Sequence, residues 1–147
     1  MLVPNQMVKM RWHGNNIQWY KSKGYVSNLR IVKSAVYTSN FTPSTTPLTA
    51  VTNTSFLTCQ SNRFIDNSTN ALALSVAAGT PQVSRFSPFA PTYSTQYSTS
   101  TIGGSGYFDG SGDYLQISNN SALQLNSSDF TIELWFYPKT SGSYTVI

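Results

Sequence analysis

Few residues in this sequence can do chemistry, and their spacing restricts them further. Only five acids and one histidine occur among 147 residues. Asp109 and Asp113 bracket a Gly-Ser-Gly turn in the run FDGSGDY. Clustered carboxylate and carbonyl oxygens suit a hard cation, so calcium is the metal this corner could take. Two carboxylates are too few for a tight site, and Asp66 or Asp129 would have to converge on them. The competing expectation is that both acids accept backbone N–H groups and hold the corner. Cys59 is the single cysteine and His13 the single histidine. A nucleophilic cysteine needs a base, but His13 stands in the polar context RWHGNN with no Asp nearby in sequence, so Cys59 reads as a small buried apolar residue. A sugar platform needs ring faces flanked by amides. Trp135, Tyr137, Tyr114 and Asn120 are the candidates, against the competing expectation that Trp135 and Tyr137 pack between sheets. Trp12, Trp19 and Tyr20, beside Lys21 and Lys23, form a second aromatic group.

Composition says which elements must carry these residues. Charged residues are only 10% and aromatics 14%. Ser, Thr and Asn make up about a third of the chain. Hydroxyls and short amides compete with helical hydrogen bonds, while Tyr, Phe and Val suit a pleated surface, so short strands joined by many turns are expected. The formal charge is +4. Six of the basic residues, Lys9, Arg11, Lys21, Lys23, Arg30 and Lys33, lie in the first 33 residues, and no acid appears before Asp66. With no aromatic-interleaved motif and no helix to enter a groove, they read as solvated charges, and nucleic acid is not the expected partner. No apolar run reaches the length of a membrane span, and MLVPNQMVKMRWHG has no signal-like core. The Asn-x-Ser/Thr triplets at Asn40, Asn53, Asn67, Asn119 and Asn126 are expected by chance in so hydroxyl-rich a chain.

Residues 24–33, GYVSNLRIVK, alternate as a half-buried strand with Tyr25, Leu29 and Ile31 inward and Asn28, Arg30 and Lys33 toward water. Prolines and hydroxyls then make 42–50 a linker. Further on, ALALSVA puts Leu72, Leu74 and Val76 on one face. GTPQVSRFSPFAPT is a proline-punctuated surface excursion. A strand around GYF meets DYLQI across the Asp-Gly and Gly-Asp corner, whose glycines supply positive φ for a tight reversal. FTIELWFYP alternates Ile132, Leu134 and Phe136 with Glu133, Trp135 and Tyr137. With both faces apolar, it is predicted to lie covered in the middle of a sandwich and to end at Pro138.

The run GSGYFDGSGDYLQISNNSALQLNSSDFTIELWFYP resembles the opening of a laminin G-like (LamG) jelly roll of the concanavalin A-like lectin and glucanase superfamily. Upstream, SFLTCQSNRFIDNSTNALALSVAAGTPQVSRFSPF is similar to that family's first strand and excursion. GYVSNLRIVKSAVYTSNF resembles its closing strand. The order is tail before head, which implies the C-terminal part of one repeat at 1–42, a linker at 43–52 and the N-terminal part of a second repeat at 53–147. The implied fold is an all-β, antiparallel jelly-roll β-sandwich, incomplete or permuted, in which residues 25–33 pair with 105–137. Glucanases of this superfamily use an acid-x-acid-x-x-acid strand. Glu133 lacks such partners, so the resemblance implies no enzyme. The wording of the repeats is most similar to structural proteins of marine tailed phages. It implies a carbohydrate-binding or adhesion module of a virion, tail fibre or decoration protein, on a virion or extracellular surface. Cell-surface glycans, other virion proteins, neighbouring repeats or a second copy would be its partners. A purely structural spacer and a fragment of a glycan-degrading enzyme are the alternatives.

Overall fold

The computed structural model describes residues 10–13, 16–19, 23–89 and 97–139, with side chains from residue 23 onward. The architecture is all-β, and every strand pairing is antiparallel. A first hairpin joins β1 (Met10–His13) to β2 (Asn16–Trp19), with Trp12 opposite Ile17. The ten-residue β3 (Lys23–Val32) organises the main sheet. The other strands of that sheet are β4 (Thr54–Thr58), β6 (Gln82–Ser84), β7 (Ser105–Asp109) and β9 (Thr131–Pro138). β5 (Leu74–Ala78) and β8 (Tyr114–Ile117) form a separate ribbon, and one 3-10 turn spans Ser121–Leu123.

Along one edge of β3 runs β9, from Gly24 opposite Pro138 to Val32 opposite Thr131. The other edge is shared. β7 takes Lys23 to Val26, and β4 takes Leu29 to Val32. The division falls at Ser27 and Asn28, where the β9 ladder also slips by one residue. Such a bulge reverses which residues of the strand face inward. Val26 is therefore buried before it, and Leu29 and Ile31 after it. This parity change corrects the simple alternation expected from sequence. Tyr25 lies on the outer face of the sheet, and Asn28 and Arg30, expected in water, are only 0% and 4% exposed.

Asn28 adopts φ 53°, a left-handed conformation that Asn tolerates better than most residues. Its polar groups tie three segments together. The backbone N–H donates to Cys59 O at 3.0 Å, and Oδ1 accepts from Leu48 N–H at 2.8 Å. Nδ2 donates to Ser27 Oγ at 2.7 Å, and that hydroxyl donates to Gly104 O. The segment 42–50 thus does more than link, because Pro47 and Leu48 are buried against the sheet.

The core lies on the inner face of the sheet, where Val26, Leu29, Ile31, Phe56, Cys59 and Phe108 meet Leu115, Ile117 and Leu123. Leu72, Leu74, Ile132, Leu134 and Phe136 close over them. Val76 keeps the regular register with Leu74 that the alternation predicts, since the β5–β8 ladder slips only after it, between Val76 and Ala78, yet its side chain is 47% exposed. The ribbon covering the sheet makes the arrangement sandwich-like. β9 carries apolar side chains on both faces as expected. Among the described residues it pairs only with β3, so β3 is the central strand.

The glycine-rich corner joins two layers. β7 belongs to the main sheet and β8 to the ribbon, so the chain crosses between them where a hairpin was expected. Gly110 and Gly112 do take the positive φ values, 82° and 77°, that the corner needs.

Candidate functional site

On the outer face of the main sheet, the register aligns side chains from four strands. Gln82 on β6 is opposite Tyr107 on β7, Tyr107 is opposite Tyr25 on β3, and Tyr25 is opposite Tyr137 on β9. Directly opposed residues of antiparallel strands share a face. Three strand spacings of about 4.8 Å give the row a length of roughly 14 Å. The ring centroids of Tyr25 and Tyr107 are 5.0 Å apart, and those of Tyr25 and Tyr137 6.4 Å. Phe86 leans in from the excursion, 4.5 Å from Tyr25 and 4.9 Å from Tyr137. Lys139 Nζ sits 5.7 Å from the Tyr25 ring, a cation–π geometry. Tyr137 and Phe86 remain 53% and 43% exposed. Trp135, two residues along β9, meets Phe89 edge to face at 5.0 Å.

Of the four residues predicted for a sugar platform, the structure places Trp135 and Tyr137 on this face, and neither is sealed between sheets. Tyr114 lies on β8 in the ribbon. Asn120 caps the 3-10 turn, its Oδ1 accepting from Ala122 N–H at 2.9 Å. The four do not form one constellation. Tyr25, Tyr107, Phe86 and Gln82 were not legible as partners, because only the pairing register brings them together. Trp12 lies on β1 and Trp19 on β2, and Tyr20 and Lys21 lie outside the described residues.

Asp66, Asp109 and Asp113 are occupied structurally. Asp113 is buried, its Oδ1 accepting from Thr80 N–H at 2.6 Å and Oδ2 from Asp109 N–H at 2.8 Å. Asp109 Oδ1 accepts from Ser111 N–H at 2.6 Å. A Cβ on Gly79 would collide with Asp113, so the glycine admits the carboxylate. Asp66, which would have to converge on the corner to complete a calcium site, instead accepts from the backbone N–H groups of Leu57, Ser68 and Leu72. No cluster of three His, Cys, Asp or Glu able to hold a metal ion occurs among the described residues. The corner carboxylates hold backbone.

Glu133 lies beside Arg30, with Arg30 Nε donating to Oε1 at 2.7 Å and a second guanidinium nitrogen in ion-pair contact. Tyr37 O–H donates to Oε2 at 2.7 Å, which raises the tyrosine pKa first through that bond and then through burial. Burial pushes the Cys59 thiol up to about 12, so it stays protonated and unreactive at neutral pH. His13, its sequence-level partner, lies on β1, where only backbone is described. Among the described residues no helix is long and apolar enough to cross a membrane. No protein-family model, no curated protein and no solved structure matches the chain.

Proposed function

We propose that this chain is a non-enzymatic carbohydrate-binding module, with the tyrosine row as its ligand face. The observation that carries the reading is the alignment Gln82–Tyr107–Tyr25–Tyr137 across four neighbouring strands. Ring faces offer apolar surface to pyranose C–H groups, and an exposed amide at the end of the row can read hydroxyls. Few ionic groups compete for such a surface, since charged residues are 10% of the chain. The candidate nucleophile is buried and the strand carboxylate is engaged by Arg30 and Tyr37, which favours binding over catalysis. A jelly-roll relationship, tandem repeats and a virion or cell-surface setting rest on the sequence resemblance. They complete the proposal with glycans or neighbouring structural proteins as partners.

A second reading, a structural spacer, is favoured by Phe86, which packs against Tyr25 and Tyr137 and covers part of their surface. A glycan array separates the two. Retention of a polysaccharide by the wild type, weakened about 3- to 10-fold in Tyr137→Ala, supports the binding face, since stacking of this kind contributes about 0.5–1.5 kcal/mol. A wild type that retains no glycan overturns it in favour of the spacer.

A further inference from the structure

A second cavity, distinct from the tyrosine row, opens where three loops meet beside the Asn28 bulge. Its volume is about 460 Å³, within the roughly 300–1,000 Å³ of small-molecule sites. One wall is the 47–49 segment, another the turn following β4, and the third includes Ser100. These walls are tied to one strand. Asn28 holds Leu48 N–H and Cys59 O, and Ser27 holds Gly104 O. Gly103 and Gly104 let the loops close up, because a Cβ on Gly103 would press on Pro47 and Gln60 O, and one on Gly104 would meet Ser61 O at 2.7 Å. The cavity is therefore preformed by hydrogen bonds outside it.

Two residues of its lining carry buried polar atoms without partners, Gln60 Oε1 and Asn67 Nδ2. Buried polar atoms are satisfied in the great majority of cases, and an orphan acceptor and an orphan donor lining the same cavity are a mismatch that a ligand can repair. The exposed Arg63 also lines the cavity, and among the described residues no carboxylate forms an ion pair with its guanidinium. Leu48 and Ile65 add apolar surface. A simple carboxylate has only acceptors and would leave Gln60 Oε1 unmet. A hydroxyl both donates and accepts, so it can serve Gln60 and Asn67. A ring with C–H faces suits Leu48 and Ile65, and a carboxylate suits Arg63.

We infer that this cavity is a binding site for a carboxylated sugar, a uronic acid or a residue of a uronic-acid-bearing glycan. It shares no lining residue with the tyrosine row and does not depend on it.

Glucuronate, glucose and acetate titrated separately into the isotopically labelled chain test the site through the side-chain amide signals of Gln60 and Asn67, with the amide of the exposed Gln124, outside both the cavity and the tyrosine row, as reference. Glucuronate is expected to shift the Gln60 and Asn67 signals, and glucose to do so about 10-fold more weakly. Acetate is expected to leave them no more affected than Gln124. Arg63→Gln, an exposed substitution, should bring glucuronate down to the level of glucose. Gln60→Met should weaken glucuronate by about 10-fold or more while raising the thermal midpoint, because the orphan acceptor is gone from the empty site. A purely structural Gln60 would not give that opposition of stability and binding. Unmoved amides, acetate equal to glucuronate, or an Arg63→Gln variant with unchanged preference would each overturn the inference. Tyr137→Ala should titrate as wild type, which keeps failure here separate from failure at the tyrosine row.

Discussion

Arg30 and Glu133 stand directly opposite each other on β3 and β9, and their side chains are joined by a 2.7 Å hydrogen bond in a site that leaves 5% and 15% of them exposed. Arg30 Nη1 also donates to Thr49 O, and Tyr37 O–H donates to the far oxygen of Glu133. The pair thereby fastens the 33–50 segment to the sheet.

Breaking one half should cost far more than replacing both. Glu133→Gln leaves a buried guanidinium uncompensated and is expected to lose about 3 kcal/mol in urea unfolding, whereas Arg30→Met with Glu133→Leu should recover most of it. Equal losses in the single and double variants would contradict this account.

At the bulge, Asn28→Ala removes the acceptor for Leu48 N–H and forces alanine into positive φ. The expected loss is about 3 kcal/mol, from an unmet buried N–H and backbone strain together. Asn28→Gly keeps the backbone free to turn and should lose about 1 kcal/mol less. A denaturation series that ranks glycine below alanine would remove backbone strain from the explanation.

The Asp113 corner should behave as a brace without a metal. Asp113→Ala strands the N–H groups of Thr80 and Asp109 and should cost about 2–3 kcal/mol. Asp109→Ala, at an exposed side chain, should cost under about 1 kcal/mol. Millimolar calcium should leave the thermal midpoint of the wild type unchanged, and an upward shift would reopen the cation reading.

Cys59 makes stability depend on alkali. Its thiol ionises near 9 in the unfolded chain but is pushed up to about 12 in the fold. The unfolded state therefore loses its proton first. The stabilisation is complete below about pH 9 and is lost as pH rises from 9 toward 12. Tyr37, also raised, adds a loss of the same sign above its ordinary value of 10.0. Stability measured from pH 8 to 11 should fall less steeply in Cys59→Ala, and Tyr37→Phe should flatten the upper part of the curve. A thiol reagent should label Cys59 only after unfolding.

The all-β class, the GYF, DYLQI and FTIELWFYP strands and the positive φ of the corner glycines were legible in the sequence because each rests on local pattern or turn chemistry. The pairing of 25–33 with 105–137 came from the family resemblance, and β3 does join both β7 and β9. The facing of Tyr25 departs from the alternation because one extra residue at the bulge reverses parity and nothing in SNLR announces it, while Asn28 is buried at the bulge itself and Arg30 keeps its outward facing but is covered by Glu133 and the 33–50 segment. The candidate sites suffered from the same limit. Trp135 and Tyr137 stand out as single residues, but the row with Tyr25 and Tyr107 exists only through cross-strand register. Gln60 and Asn67 show nothing unusual in a chain so rich in amides until their buried, partnerless ends are located.

The central place of β3 has a kinetic consequence. Its partners arrive late in the chain: Gly24 must find Phe108 and then Pro138, with the ribbon strands threaded between them. Sheets dominated by such distant pairings close their loops at an entropic cost before contacts reward it, and they fold slowly. During synthesis β3 emerges with both edges bare and waits for β9. In that interval a neighbouring chain can offer the same strand, so the central position that holds the sheet together also makes β3 the segment most open to strand exchange between copies.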